Sequence, residues 1–235
     1  MLMVLALFYA MTIQVLATDY NVGVKPGDWI RYDCTTSGVS GVPDLNPIQW
    51  FKADITGVNG TTIRMTLTLH RKNGTENSDN IVFDIKSVQV TGPYGMMMAI
   101  GANLKRGDQF SPELLSGDRL NDTVSRLYAG ATRSANVFDA SYNGGRQRYM
   151  GYWDQATGIM VELYQHVDDD TFGEYTEFIK VTETNMWNHD LMWLFLDNLP
   201  AILIVAFAVI VVALLMNRRK NIRQRTDRQF NHPSR

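Results

Sequence analysis

Between Leu199 and Met216 the chain reads LPAILIVAFAVIVVALLM, eighteen residues without a charge or a side-chain hydrogen-bond donor. In hydrocarbon a lone segment finds no water for its backbone N–H and C=O groups and must pair them within itself, as a helix. At a rise of about 1.5 Å per residue such a helix is roughly 27 Å long, close to the ~30 Å thickness of a bilayer core. Asn217-Arg218-Arg219-Lys220 follow at once, with Arg223, Arg225 and Arg228 beyond, whereas Asp190 and Asp197 precede it. Flanks rich in Lys and Arg stay in the cytoplasm. The expectation is a single-pass protein of the cell membrane: an outer domain over 18–190, an interfacial stretch over 191–198, a transmembrane helix over 199–216 and a basic cytoplasmic tail over 217–235. Trp187 and Trp193 on one side, and Arg218, Arg219 and Lys220 on the other, are the expected interface anchors.

Charge is divided along the chain in the same way. The whole sequence carries −2, but the tail from Asn217 to Arg235 holds six Arg, one Lys and one Asp, so the remainder is strongly acidic. An acidic domain lacks the basic patch that nucleic acid requires, which leaves the bilayer, an extracellular protein or an apolar ligand as expected partners. Met1 to Ala17, MLMVLALFYAMTIQVLA, is apolar and ends in compact residues where a signal peptidase cuts, so it reads as a secretory leader; an uncleaved second anchor is the competing reading. Cys34 is the single cysteine, which excludes an intramolecular disulfide and suits a buried strand thiol.

From Tyr20 to Thr182 the hydrophobic period is two. Thr61 to Arg71 alternates strictly, with Ile63, Met65, Leu67 and Leu69 toward a core and Thr62, Arg64, Thr66 and Thr68 toward water. Asn59-Gly60 suits a tight hairpin turn, and Asp154-Gln155-Ala156-Thr157-Gly158 suits another, in which Asp154 accepts backbone N–H groups and Gly158 takes the left-handed conformation. Strands are expected over Trp29–Thr36, Gln49–Val58, Thr61–Arg71, Ile81–Val90, Thr123–Tyr128, Thr132–Tyr142, Arg146–Asp154, Ile159–His166 and Tyr175–Thr182, with Glu76 to Asn80 a polar connection. The fold class is therefore all-β: an antiparallel meander forming a curled sheet, half-barrel or sandwich, plus the C-terminal transmembrane helix. Lys25-Pro26-Gly27-Asp28 and Lys105-Arg106-Gly107-Asp108 repeat one turn type, from shared turn chemistry or from an internal duplication.

Few residues point to chemistry. Asn59, Asn73 and Asn121 each open an Asn-x-Ser/Thr sequon and are candidate N-glycosylation sites. Asp168-Asp169-Asp170 departs from a calcium loop because Phe172 stands where a third ligand belongs, and His70, His166 and His189 have no zinc-ligand spacing. No nucleophile elbow, HExxH or phosphate loop is present, so no catalytic residue, metal or cofactor is assigned. Asp154 and Glu162 are the carboxylates that an envelope hydrolase could pair. Tyr94, Met96, Met97, Met98 and Ile100, set between glycines, form an adaptable apolar stretch that suits either core filling or a lid over an apolar ligand.

Val24-Lys25-Pro26-Gly27-Asp28-Trp29, Tyr152-Trp153-Asp154-Gln155-Ala156-Thr157-Gly158-Ile159 and Glu183-Thr184-Asn185-Met186-Trp187 resemble motifs of a group of uncharacterised archaeal single-pass surface proteins. That resemblance implies a leader, a β-rich outer domain and one C-terminal span; more loosely, the β domain is similar to the half-barrel sheets of LolA-like lipoprotein carriers. The expected function is a membrane-anchored surface protein whose outer domain makes structural or recognition contacts. The alternatives are a tethered carrier or sensor of an apolar ligand, and an envelope hydrolase.

Overall fold

The computed structural model describes residues 20–38, 48–87, 89–91, 97–113, 118–170, 173–190 and 198–230. The chain divides into two compact units, Met1–Asn188 and His189–Arg235. In the first unit ten strands form one antiparallel sheet: β1 (Trp29–Gly38), β2 (Ile48–Asn59), β3 (Thr62–Arg71), β4 (Glu76–Asp84), β5 (Gln89–Thr91), β6 (Asp122–Tyr128), β7 (Ala131–Tyr142), β8 (Gln147–Asp154), β9 (Met160–Asp169) and β10 (Gly173–Thr184). Their order across the sheet is β5-β4-β3-β2-β1-β10-β9-β8-β7-β6. Every neighbour is a sequential hairpin partner except β1 and β10, which join the two five-strand arms at the centre. Because β5 and β6 lie at opposite edges, the sheet is open.

Local chemistry explains the hairpins. Gly60 takes a φ of +59° after Asn59, and Ala129 and Gly130 both have positive φ between β6 and β7, the two-residue geometry whose twist matches the flanking strands. At Asp154 the expected turn forms: its Oδ1 accepts the Thr157 N–H at 2.9 Å, and Gly158 sits at φ +73°. Glu76 to Asn80 differs from expectation, being strand rather than connection. Polar pairs drive this: Asn80 Oδ1 accepts from Thr66 at 2.9 Å, Thr68 and Ser78 hydroxyls meet at 3.0 Å, and Glu76 reaches His70 at 3.0 Å. The strand expected over Ile81–Val90 is broken after Asp84, whose Oδ1 accepts the N–H groups of Lys86 and Ser87 and turns the chain before β5.

One face of the sheet is buried. Ile30 and Tyr32 of β1, Phe51 of β2, Leu67 of β3, Phe83 of β4, Trp153 of β8 and Ile179 of β10 all belong to a single core. The segment between the arms lies against it. The Met160 N–H donates to Met98 and the Ile100 N–H to Gly158, each at 2.8 Å, so this stretch extends the β8–β9 hairpin. Phe110 sets its ring edge-on to Trp153 and Phe138, with centroids 5.1 and 4.5 Å away. Gly151 is required here, because a Cβ at that position would overlap the Trp153 ring.

The strand order also repeats with an offset of five, and a Lys-x-Gly-Asp turn precedes the first strand of each arm. In both copies the Asp Oδ2 accepts the Lys N–H, at 2.9 and 3.0 Å, and the glycine has a φ near +90°. The second unit is dominated by α1 (Leu199–Phe230). None of its residues from Leu199 to Met216 is buried, and this stretch is long and apolar enough to cross a membrane. The helix continues past Met216 because Arg, Lys and Gln are good helix formers and neither Pro nor Gly interrupts them before Phe230.

Candidate recognition surface

The outward face of the sheet is built from cations laid over aromatic rings. On the first arm alternate residues of β1, β2 and β3 point outward together, which stacks Arg31 on Trp50 at 4.7 Å and Trp50 on His70 at 4.8 Å with only 4° between the rings. Lys52 lies over Trp29 at 4.9 Å and bonds Asp54 at 2.6 Å, while Arg31 also reaches Glu183 at 2.7 Å. On the second arm Arg126 covers Tyr152 at 4.4 Å and bonds Glu162 at 2.7 Å; Lys180 approaches the other Glu162 oxygen at 3.7 Å. Each contact of this kind contributes about 0.5–1 kcal/mol at an exposed site. Together they fix a polar, aromatic surface whose shape is set in advance of any partner.

At the end of the sheet, beside the β8–β9 turn, a recess of about 290 Å³ is lined by Asn103, Thr132, Arg133, Ser134, Asp154, Gln155 and Ala156. Asp154 is fully buried in its wall, held by Arg133 Nε at 2.7 Å and Nη2 at 3.2 Å and by the Thr157 hydroxyl at 2.8 Å. The guanidinium also lies over Trp187 at 5.0 Å. A carboxylate held by so many donors is a positioning group for Arg133. Glu162 differs: its Oε1 accepts from Arg126 at 2.7 Å, while its buried Oε2 has no hydrogen-bond partner and only faces Lys180 at 3.7 Å. Of the two carboxylates named for hydrolysis, Asp154 is thus paired with Arg133 and Glu162 with Arg126.

The sequons divide by setting. Asn59 and Asn73 are exposed at hairpin turns, and Asn73 Oδ1 accepts both the N–H and the hydroxyl of Thr75, at 3.0 and 2.7 Å. Asn121 precedes β6 and its Oδ1 accepts the Asp139 N–H at 2.5 Å. Met98 and Ile100 are buried in the core and Met97 is half-buried against it; Tyr94 and Met96 lie outside the described residues. In this arrangement Met98 and Ile100 fill the sheet's own interior.

Trp187, expected at a bilayer surface, is instead folded into the β domain. It is only 9% exposed, and its Nε1–H donates to the Tyr128 carbonyl at 3.2 Å, because Asn185 bonds back to Trp29 and Gly27 and turns the chain inward after β10. Trp193 lies outside the described residues, Arg218 is exposed, and Arg219 and Lys220 fall within α1. In the acidic turn, Arg146 bonds Asp168 at 3.2 Å and Asp170 at 2.7 Å, and this pairing holds the Asp170 carboxyl below its ordinary value. Among the described residues no three His, Cys, Asp or Glu side chains converge as a metal site.

Sequence reasoning gave no signal for Glu177. It lies on the inner face of β10, 4% exposed, opposite Thr36 of β1 and Gln165 of β9, with Cys34 beside it. Burial raises its carboxyl above the ordinary glutamate value of 4.5. The folded state then keeps the proton to a higher pH than the unfolded chain does, so stability is complete below the unfolded-chain value and declines as pH rises through the folded one. Glu177→Gln removes that decline. Thermal melts at about pH 4 and about pH 7.5 should show the variant more stable at the higher pH, with little difference at the lower. Equal pH slopes for the two proteins would contradict the assignment.

Neither models of known protein families nor curated proteins match this sequence.

Proposed function

We propose that this chain is a single-pass surface protein of the archaeal kind it resembles, with its β domain outside the cell membrane and its basic tail in the cytoplasm. The β domain makes structural or recognition contacts. The observation that carries this reading is the apolar stretch Leu199–Met216, wholly unburied, on a chain whose other unit already buries its own apolar face. A helix with that surface needs lipid around it, and α1 supplies a tether.

The recognition role follows from where the domain places its polar chemistry. Among the described residues its buried face is packed with its own side chains, whereas its outward face presents fixed rings and cations and the end of the sheet a polar recess. A carrier of an apolar ligand needs the opposite, an apolar cavity behind a movable cover. The test is native mass spectrometry of the full chain, taken from its own membranes in detergent, with organic extraction of anything retained. The expected mass is that of the polypeptide with any glycans at Asn59, Asn73 and Asn121. A stoichiometric apolar molecule that survives purification would overturn the recognition role in favour of the carrier.

A further inference from the structure

We propose that two copies of this chain associate edge to edge through β6, antiparallel, continuing one sheet into the other. The β6–β7 hairpin fixes which backbone groups of β6 are free. Its loop is Ala129–Gly130, so Tyr128 and Ala131 form the hydrogen-bonded pair that closes a two-residue turn. Hydrogen-bonded pairs alternate along an antiparallel ladder, so Val124 and Arg126 also direct their backbone groups to β7. Thr123, Ser125 and Leu127 therefore direct theirs to the free edge of the sheet. Among the described residues no other strand pairs with that edge. The Thr123 N–H is met only by the carboxylate of its neighbour Asp122, at 2.8 Å, a contact that one side-chain rotation releases.

Edges are ordinarily blunted by charges that project over them. Arg126 does not serve in that way, because it lies back across the sheet on Tyr152 and Glu162. Leu127, meanwhile, is 48% exposed on the last turn of the strand.

The occupant is chosen by charge. With Val124 opposite Val124 of the second copy, Thr123 faces Ser125 on both sides of the axis and each such pair exchanges two backbone hydrogen bonds. The same register sets Asp122 opposite Arg126 twice, on one face of the sheet, where opposite charges attract once the Arg126 side chain swings from Glu162 toward the edge. Moving the register by one hydrogen-bonded step sets Asp122 against Tyr128 in one direction and Thr123 against itself in the other, and either step loses both charge pairs. The sequence Asp122-Thr123-Val124-Ser125-Arg126 is thus self-complementary in one register, as a two-fold contact requires. A common membrane raises the effective concentration of such a short contact.

The test uses the full chain in detergent micelles and reads self-association by sedimentation velocity, with two differently labelled pools for mixing. Asp122→Arg and Arg126→Asp should each weaken self-association by about tenfold or more, because attraction becomes repulsion at two symmetric places. Mixing those two variants should restore association, since every Arg then faces an Asp. Val124→Cys should form an intermolecular disulfide on mild oxidation while Ser125→Cys should not, because only residue 124 meets its own copy, as a close non-hydrogen-bonded pair. Wild-type protein that stays monomeric across the concentration range would overturn the proposal. So would charge variants that associate like wild type, or a mixture that fails to recover.

Discussion

Replacing Trp153 with alanine lowers the unfolding free energy of the β domain by about 3–5 kcal/mol, the range for truncating a large buried ring. The indole is completely buried, lies against Phe110 at 5.1 Å, donates to the Met97 carbonyl at 3.2 Å and fills the space that Gly151 leaves open. Truncation therefore empties a volume with a glycine on one wall. It also strands one carbonyl and removes a hold on the segment that lies across the sheet. Trp153→Phe keeps most of the apolar area and should lose markedly less. Urea unfolding of the full chain in a mild detergent, followed by the β-sheet circular dichroism, measures both. A Trp153→Ala loss below about 1 kcal/mol would mean that the segment from Met97 to Leu104 does not pack as described.

The other large effect belongs to α1. Twelve of the eighteen residues from Leu199 to Met216 are Leu, Ile, Val or Phe. At roughly −0.3 to −0.6 kcal/mol each for insertion, they total about −4 to −7 kcal/mol. An arginine at the middle of a span costs about 2.5–3.5 kcal/mol. Phe207→Arg with Ile210→Arg together should therefore cancel the preference for lipid, and either alone should leave it reduced but intact. Membrane pellets washed at high pH should retain wild type and each single variant and release the double variant. Retention of the double variant would show that something other than this helix holds the chain to the membrane.

Much of the architecture was legible because its determinants are local. Period-two alternation in Thr61 to Arg71 selects a face residue by residue, and Asn59-Gly60 and Asp154 to Gly158 are turn sequences whose backbone demands are met by the residues themselves. The boundary errors have equally local causes. Glu76 to Asn80 has no apolar face of its own and becomes strand only because Thr66, Thr68 and His70 supply cross-strand partners, and Asp84 ends β4 with hydrogen bonds that an apolar count does not see.

The pairing of β1 with β10 could not be read, since it joins residues about 150 positions apart, such as Ile30 and Thr184, with no turn between them to specify register. What depends on that pairing was hidden too: Glu177 becomes buried opposite Thr36 only when the arms meet, and Trp187 folds inward only because Asn185 finds Trp29. The surface stacks were illegible for a related reason. Arg31, Trp50 and His70 are polar-face residues on separate strands, and nothing in any one strand announces that they align.

The account rests on which side of the membrane the β domain occupies. Lys72 is exposed in the β3–β4 turn, and Ser234 lies in the basic tail. Cys34, the native thiol, is held on the inner face of β1, where burial raises its pKa and leaves little reactive thiolate. Single Lys72→Cys and Ser234→Cys variants can therefore be labelled on intact cells with a membrane-impermeant maleimide, against wild type as the blank. The account predicts labelling of Lys72→Cys on intact cells and of Ser234→Cys only after permeabilisation. Labelling of Ser234→Cys on intact cells, with Lys72→Cys protected until the membrane is opened, would place the β domain inside and contradict it.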